Sequence, residues 1–181
     1  TKKKIYYPIV KKKTNNKDLK IKKVLRLLKE SKKPLLLLGN GIRLSNTTGI
    51  VKKFIKKYQI PYACSWGAAD LFKSNDKLNA GSFGVAATRY GNFALQKADL
   101  ILCIGIRFGT QIVGGDPKKF SPKSKKILVD IDSNEFKSQR LPYIDVKINS
   151  EISDFILALS AKKINLNNND IKNWTKIINK L

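Results

Sequence analysis

The sequence contains no histidine and no methionine, and its only cysteines are Cys64 and Cys103. The lack of histidine excludes Ser-His and Cys-His catalysis and removes most kinds of zinc site. Both cysteines lie in apolar runs without a Cys-x-x-Cys motif, so we predict buried, reduced thiols in a cytoplasmic protein. The lack of methionine and the start at Thr1 suggest a segment of a longer polypeptide.

Acidic residues and arginine are also scarce. The 37 basic and 13 acidic residues give a net charge of +24, and only five of the basic residues are arginine. Arginine is the residue that makes bidentate contacts to guanine and phosphate, so nucleic acid is not the favoured partner. The lysines alternate with apolar residues, as in "VKKFIKKYQI", which is typical of a solvated helix surface. A basic RNA-binding domain is the alternative, and it predicts binding that weakens steeply with salt.

Long apolar runs are missing as well. No run approaches the roughly 18 residues that cross a bilayer, and no signal-peptide pattern is present, so we predict no membrane association. Hydrophobic residues nevertheless make up 42% of the 181 residues, which is enough for the core of one ordinary domain plus extensions.

The periodicity of the chain divides it into three parts. Residues 1–16 have none and are predicted to form a linker or arm. Residues 17–162 alternate short apolar runs with helical stripes, and residues 163–181 are predicted to form a C-terminal linker and helix leading toward a missing domain. The helical stripes include Ile21, Val24 and Leu28 at 3.6-residue spacing.

Five short apolar runs predict strands. Four of them, "PLLLL", "IPYACS", "DLILCIG" and "KILVDID", are typical of strands buried on both faces. The fifth, "YIDVKI", alternates polar and apolar residues and is predicted to lie nearer an edge. Residues 66–84 are predicted to be irregular. Strands that alternate with helices indicate an α/β fold with a doubly wound, mostly parallel sheet.

Polar residues and glycines follow three of these strands. Ligands of doubly wound sheets bind beyond the carboxyl ends of the strands, which makes these positions candidates for a cofactor site. The candidates are Gly39, Asn40, Gly41, Arg107, Asp130 and Asp132. The glycine turn and the helix after it would offer backbone N–H groups to a phosphate, Arg107 a guanidinium, and the two acids acceptors for ribose hydroxyls.

Each candidate also has a structural interpretation. The dinucleotide fingerprint needs a third glycine where Leu44 stands, so the turn could serve only to join a strand to a helix. Arg107 could form a salt bridge to Asp116 or Asp130, and "DSNE" from Asp132 could cap the next helix. Gly84 belongs to a glycine loop that could wrap a cofactor, although packing is the favoured interpretation for that segment.

The order of these motifs is more specific than any one of them. "KPLLLLGNGI", "ADLILCIGIRF" and "KILVDIDSNEF" resemble the middle domain of thiamine-diphosphate-dependent enzymes, closest to acetolactate synthase and related carboligases and decarboxylases, over residues 17–162. The resemblance implies a Rossmann-like sheet of six parallel strands that binds FAD or ADP in some members. It also matches Gly39 and Gly41 to the nucleotide turn, Arg107 to the Gly-x-Arg-Phe arginine, and Asp130 and Asp132 to the Asp-Ile-Asp at the adenosine end.

Departures from the family pattern argue against a flavin. Gly109 to Gln111 stand where FAD-binding synthases have Asp-Asp-Arg, and Ala86 stands in place of a histidine. The chain also lacks the catalytic glutamate and the Gly-Asp-Gly magnesium motif, having only Gly115-Asp116-Pro117, so we predict no catalytic or metal-ligating residue in it. The resemblance implies absent N- and C-terminal domains that bind thiamine diphosphate and Mg²⁺, in a homodimer or homotetramer. A free-standing nucleotide-binding regulatory module is the alternative.

Overall fold

The computed structural model of the chain describes residues 17–180, and the arm predicted for residues 1–16 lies outside this part. Six strands form a single sheet in which every neighbouring pair is parallel. The strands are β1 (Pro34–Leu38), β2 (Tyr62–Cys64), β3 (Asn79–Ser82), β4 (Leu100–Ile104), β5 (Lys125–Asp130) and β6 (Val146–Asn149). The predicted doubly wound α/β fold with six parallel strands is confirmed.

In the described residues, seven α-helices and three short 3-10 helices connect or flank the strands. The α-helices are α1 (Lys17–Glu30), α2 (Gly41–Leu44), α3 (Thr48–Tyr58), α4 (Arg89–Lys97), α5 (Thr110–Val113), α6 (Ile152–Ser160) and α7 (Asn168–Ile178). The 3-10 helices are Trp66–Leu71, Pro117–Lys119 and Ser133–Lys137. Within residues 17–180, none of the helices has both the length and the apolar character to cross a membrane.

The strand order is β3-β2-β1-β4-β5-β6, which places β1 and β4 side by side at the centre. From β1 the chain first proceeds outward to β2 and β3, and it then returns to β4 and proceeds outward on the other side. The direction of winding therefore changes between β1 and β4. In open parallel sheets such a switch point leaves a crevice outside the carboxyl ends of the two strands.

Apolar side chains of the central strands enter cores on both faces of the sheet. In β1, Leu36 and Leu38 join the core that also contains the buried side chains of α1, α3 and α6, while Leu35 and Leu37 join the core under α4 and α7. This alternation follows from the two-residue period of a strand, and it explains why β1 has four consecutive leucines and no polar residue. The thiols of Cys64 and Cys103 are free and buried, as predicted, and burial raises the pKa of each to about 12.

Both edges of the sheet are less apolar than its centre. At one edge, β6 alternates buried and exposed residues, as predicted. At the other edge, β3 has the sequence Asn-Ala-Gly-Ser and occupies part of the stretch that we predicted to be irregular. That prediction was wrong because β3 is defined by its pairing with β2, and only Ala80 among its side chains is fully buried.

The last helix packs on the sheet. Trp174 of α7 is buried, and its indole Nε1 donates a hydrogen bond of 3.2 Å to the carbonyl oxygen of Pro34 at the start of β1. Ile171 and Ile178 are buried as well, whereas Ile177 is 43% exposed. The helix predicted within residues 163–181 therefore contributes to the core.

Candidate functional site

A crevice of about 660 Å³ opens at the switch point, outside the carboxyl ends of β1, β4, β5 and β6. Its walls include residues that directly follow these strands: Gly39, Asn40, Gly41, Gly105, Ile106, Arg107, Ile131, Ser150, Glu151 and Ile152. Asp130, the last residue of β5, also lines it, and Leu44 and Ile112 add apolar surface. We call this feature the switch-point crevice. Its volume lies within the roughly 300–1,000 Å³ of small-molecule sites.

The structure brings five of the seven predicted site residues to the wall of this crevice: Gly39, Asn40, Gly41, Arg107 and Asp130. Asp132 lies beside Arg107 but does not line the crevice. Gly84 lies after β3 and is not among the lining residues either. The predicted cluster at the carboxyl edge of a parallel sheet therefore exists, with Gly84 apart from it.

The glycines of the β1 turn are explained by a close approach of two backbones. A Cβ atom on Gly39 would lie 2.1 Å from the carbonyl oxygen of Gly105, and one on Gly41 would lie 2.7 Å from the Cα of Gly105. The amide of Gly39 donates to the carbonyl of Ile104, and that of Gly41 donates to the carbonyl of Gly105, both at 3.0 Å. These two N–H groups are thus used within the fold and are not free for a phosphate.

The helix after the turn also differs from the expectation. α2 has only four residues, and Asn46 adopts a positive φ of 54° before α3 begins. The macrodipole of a helix is the sum of many aligned peptide units, so a single turn supplies little of it. The predicted phosphate cradle, in which the glycine turn and the helix after it offer free N–H groups, is therefore not formed by Gly39, Gly41 and α2.

Arg107 stands at the mouth of the crevice, with its side chain 70% exposed. Its Nε atom lies 3.4 Å from Oε1 of Glu135, and its Nη2 atom lies 3.8 Å from Oδ2 of Asp132. The alternative of a salt bridge was therefore correct in kind, but the partners are not Asp116 or Asp130. Asp116 instead accepts a hydrogen bond of 2.9 Å from the backbone N–H of Lys118 and caps a 3-10 helix.

The two acids after β5 have different environments. Asp130 is buried, and burial raises the pKa of its carboxyl group above the ordinary value. Its Oδ1 accepts a hydrogen bond of 2.8 Å from the backbone N–H of Asp132. Asp132 caps the 3-10 helix Ser133–Lys137 through an acceptor bond from the N–H of Asn134. The alternative of a helix cap at Asp132 is confirmed.

Ser150 is a crevice residue that sequence reasoning did not identify as part of the site. Its hydroxyl oxygen is the only buried side-chain polar atom without a hydrogen-bond partner among residues 20–180, whose side chains the structure describes. Its backbone N–H donates to the carbonyl of Asp130 at 3.0 Å, which fixes it beside the end of β5. A buried hydroxyl normally has a partner, so this one marks a position where a polar ligand atom would be stabilised. The available signal was its place directly after a strand, in "INSE".

Gly84 has a packing role. The side-chain amide of Asn92 both accepts from its N–H, at 3.0 Å, and donates to its carbonyl, at 2.8 Å. Its φ is +118°, and a Cβ atom there would lie 2.5 Å from the carbonyl oxygen of Gln111. These contacts account for the glycine without a cofactor, in agreement with the favoured interpretation of this loop.

Comparison with known proteins gives a consistent family. Residues 21–159 match the model of the thiamine pyrophosphate enzyme central domain. The chain is 29% identical over 161 residues to acetolactate synthase 2, chloroplastic, of Nicotiana tabacum, with 87% of this chain and 23% of the relative covered. It is 30% identical over 179 residues to a probable acetolactate synthase large subunit of Methanocaldococcus jannaschii, with 98% and 30% covered.

A third relative, the acetolactate synthase large subunit of Porphyra purpurea, is 28% identical over 165 residues, with 91% of this chain and 27% of the relative covered. The chain thus spans about a quarter of the length of the curated relatives it matches. The family model covers most of the chain and the sheet has the order expected of a doubly wound fold. The chain therefore belongs to the thiamine pyrophosphate enzyme central-domain family.

Proposed function

We propose that this chain is the central domain of a thiamine-diphosphate-dependent enzyme that decarboxylates or ligates 2-oxo acids in the manner of acetolactate synthase. The observation that carries the proposal is the family match over residues 21–159, in a chain that spans about a quarter of the length of its relatives. The domain's role in that enzyme is architectural. It bridges two catalytic domains and binds a nucleotide in the switch-point crevice.

We propose that thiamine diphosphate and its magnesium ion bind outside this domain. In the described part of the chain, no three His, Cys, Asp or Glu side chains gather as a metal site. Asp116, the only acid in a motif that resembles Gly-Asp-Gly, uses its carboxylate as a helix cap. We therefore assign both groups to the flanking domains and attribute no reaction step to this one.

Exposed apolar side chains support the bridging role. Four of them follow strands at the carboxyl edge of the sheet: Leu44, Trp66, Val85 and Ile131, which are 80%, 59%, 69% and 44% exposed. Large apolar side chains gathered on one edge of a monomer are typical of a surface that another domain covers. We propose that a flanking catalytic domain of the same polypeptide packs on this edge.

The bridging role can be tested in the full-length polypeptide with Trp66→Glu. We expect it to reduce acetolactate formation from pyruvate at least tenfold, because a buried carboxylate would oppose domain packing. Tyr143→Glu is the matched control, since Tyr143 is 78% exposed and precedes β6 at the opposite edge. Equal activity of the two variants would contradict the proposal. An open reading frame that ends immediately outside this segment would instead support the free-standing module.

We further propose that the switch-point crevice binds ADP in preference to FAD. The unpartnered hydroxyl of Ser150 and the carboxyl of Asp130 are suited to nucleoside hydroxyl or amine groups, and the apolar walls are suited to a base. The guanidinium of Arg107 is suited to a diphosphate. Gly109 to Gln111 and Ala86 stand where flavin-binding synthases have Asp-Asp-Arg and a histidine, which supports a nucleotide without the flavin portion.

The salt bridges of Arg107 make this proposal specific. A diphosphate would compete with Glu135 and Asp132 for the guanidinium, so Glu135→Gln should tighten ADP binding while Arg107→Ala should weaken it severalfold. Arg89→Ala removes the same charge from an exposed position outside the crevice and should leave binding unchanged. Calorimetric titration of the chain with ADP, FAD and NAD measures these affinities. No saturable binding of ADP, or equal effects of Arg107→Ala and Arg89→Ala, would contradict it.

A further inference from the structure

A second, larger concavity lies at the amino ends of the strands, on the side of the sheet away from the switch-point crevice. It is bounded by α3, by the connection that leads into β3, and by α7, and its volume is about 1400 Å³. Tyr62 at the start of β2 and Leu78 just before β3 lie in its wall, which places it at the amino ends of these strands. We call it the lysine groove. Its volume exceeds the roughly 300–1,000 Å³ of small-molecule sites, so it is suited to a polypeptide segment.

The rim of the lysine groove is strongly basic. It carries seven exposed lysines: Lys52, Lys56, Lys57, Lys73, Lys77, Lys172 and Lys176. The only carboxylate among the lining residues belongs to Asp76, and it is already occupied. Its Oδ2 accepts from the Tyr62 hydroxyl at 2.9 Å, and its Oδ1 accepts from the N–H of Leu78 at 3.0 Å. The seven ammonium groups therefore face only one carboxylate among the lining residues, which leaves the groove strongly positive.

The floor between the lysines is apolar. Ile55 and Ile171 are buried beneath it, and four partly buried side chains face it: Tyr58, Leu78, Ile164 and Leu166. The Nζ atom of Lys57 lies 5.1 Å from the ring centroid of Tyr58, and that of Lys52 lies 5.6 Å from that of Phe72. Lysine side chains in such positions cover apolar surface with their alkyl portions and present the ammonium group to a partner.

We propose that the lysine groove binds an acidic amphipathic helix of a partner polypeptide. The apolar side of such a helix would pack on the floor, and its carboxylates would meet the ammonium groups of the rim. Charge alone would also suit a single-stranded nucleic acid, but no arginine lines the groove. The rings of Tyr62 and Phe72 are 0% and 7% exposed, which leaves Tyr58 as the only aromatic lining residue with an accessible ring, and one ring does not form the row of stacking faces that successive bases need. This proposal does not depend on the nucleotide proposed for the opposite edge.

The test uses three fluorescein-labelled probes and fluorescence anisotropy at low salt. The first is a peptide of Glu and Leu with Leu at i, i+3, i+4 and i+7 spacing, the second is a scrambled peptide of the same composition, and the third is an oligouridylate of equal charge. We expect one-site binding of the first probe. Lys56→Glu with Lys172→Glu should weaken it at least about tenfold, which corresponds to about 1.4 kcal/mol.

Two further variants make the result decisive. Lys73→Glu with Lys77→Glu reverses the same charge and should also weaken binding of the first probe. These lysines lie in a connection outside the α-helices, so this weakening cannot come from helix destabilisation. Lys118→Glu with Lys123→Glu is the matched control, because these exposed lysines lie outside the groove and should leave affinity within about twofold. The proposal is overturned by equal binding of the scrambled peptide, by tighter binding of the oligouridylate, by equal weakening in the control, or by no binding.

Discussion

At the scale of single residues, the switch-point crevice combines a buried acid with a buried hydroxyl. Asp130 is desolvated at the end of β5, and its carboxylate is supported by one backbone N–H. Ser150 lies beside it, at the end of β6, with no partner for its hydroxyl. Both arrangements cost stability, and a nucleotide bound as we propose would offset part of that cost.

The pH dependence of stability tests the environment of Asp130. Burial raises its folded-state pKa, so the folded chain binds this proton more tightly than the unfolded chain does. The resulting stabilisation is complete below the unfolded pKa of about 4 and is lost as the pH rises through the folded value. Asp130→Asn removes this titration and can still accept from the N–H of Asp132.

We therefore expect the free energy of unfolding of Asp130→Asn, relative to that of the parent chain, to rise between about pH 4 and neutral pH. Urea denaturation at several pH values measures it. Parallel curves for the two proteins over this range would show that the carboxyl group is not desolvated. The same substitution should weaken ADP binding, because it removes the charge of an acceptor in the proposed site.

The sequence predicts the position of some crevice residues but not the contacts of others. Gly39, Arg107 and Asp130 lie at or shortly after the ends of apolar strands, and parallel strands place such positions at one edge, so their proximity was predictable. The ion pairs of Arg107 with Asp132 and Glu135 were not, because they depend on the path of the chain after β5. Ser150 was missed because an unpartnered hydroxyl is a property of its surroundings, not of its residue type.

At the scale of elements, the interlocked turns after β1 and β4 hold the centre of the sheet. Gly39→Ala would place a Cβ atom 2.1 Å from the carbonyl oxygen of Gly105, and one of the two backbones must then move. We expect it to lower the free energy of unfolding by at least about 3 kcal/mol. Gly49→Ala in α3 meets nothing within 4 Å and should raise it by about 0.5 kcal/mol. Similar denaturation midpoints for both variants would contradict this account.

Substitution of the two tryptophans tests whether α7 is part of the core or only a linker. Trp174 is 1% exposed and donates a hydrogen bond to the Pro34 carbonyl, whereas Trp66 is 59% exposed. Trp174→Ala should lower the free energy of unfolding by about 3–5 kcal/mol, and Trp66→Ala should change it by less than about 0.5 kcal/mol. Circular dichroism during urea denaturation compares them. A small effect of Trp174→Ala would mean that α7 is an appendage.

Elements with their own hydrophobic signal were predictable, and elements defined by their neighbours were not. The apolar runs of β1, β4 and β5 specify buried strands because no other placement removes so many leucines and isoleucines from water. β3 has no such run and exists through its pairing with β2. The short α2 was also missed, since the positive φ of Asn46 that separates it from α3 is a backbone feature.

At the scale of the whole molecule, the carboxyl ends and the amino ends of the strands form two edges of the sheet with different chemistry. The carboxyl edge carries the switch-point crevice, with Asp130, Glu151 and a single arginine, and exposed apolar side chains beside it. The amino edge carries the lysine groove. Composition gave the total charge of +24 but not this separation, because lysines from α3 and α7 become neighbours only when the chain folds.

The central claim is that ADP binds at the carboxyl edge of this domain, and an NMR titration of the chain with ADP tests it most directly. We predict saturable shifts of the backbone amides of Gly105, Arg107 and Ser150, with those of Lys56 and Leu78 in the lysine groove unchanged. The absence of saturable shifts, or shifts confined to the lysine groove, would contradict the claim.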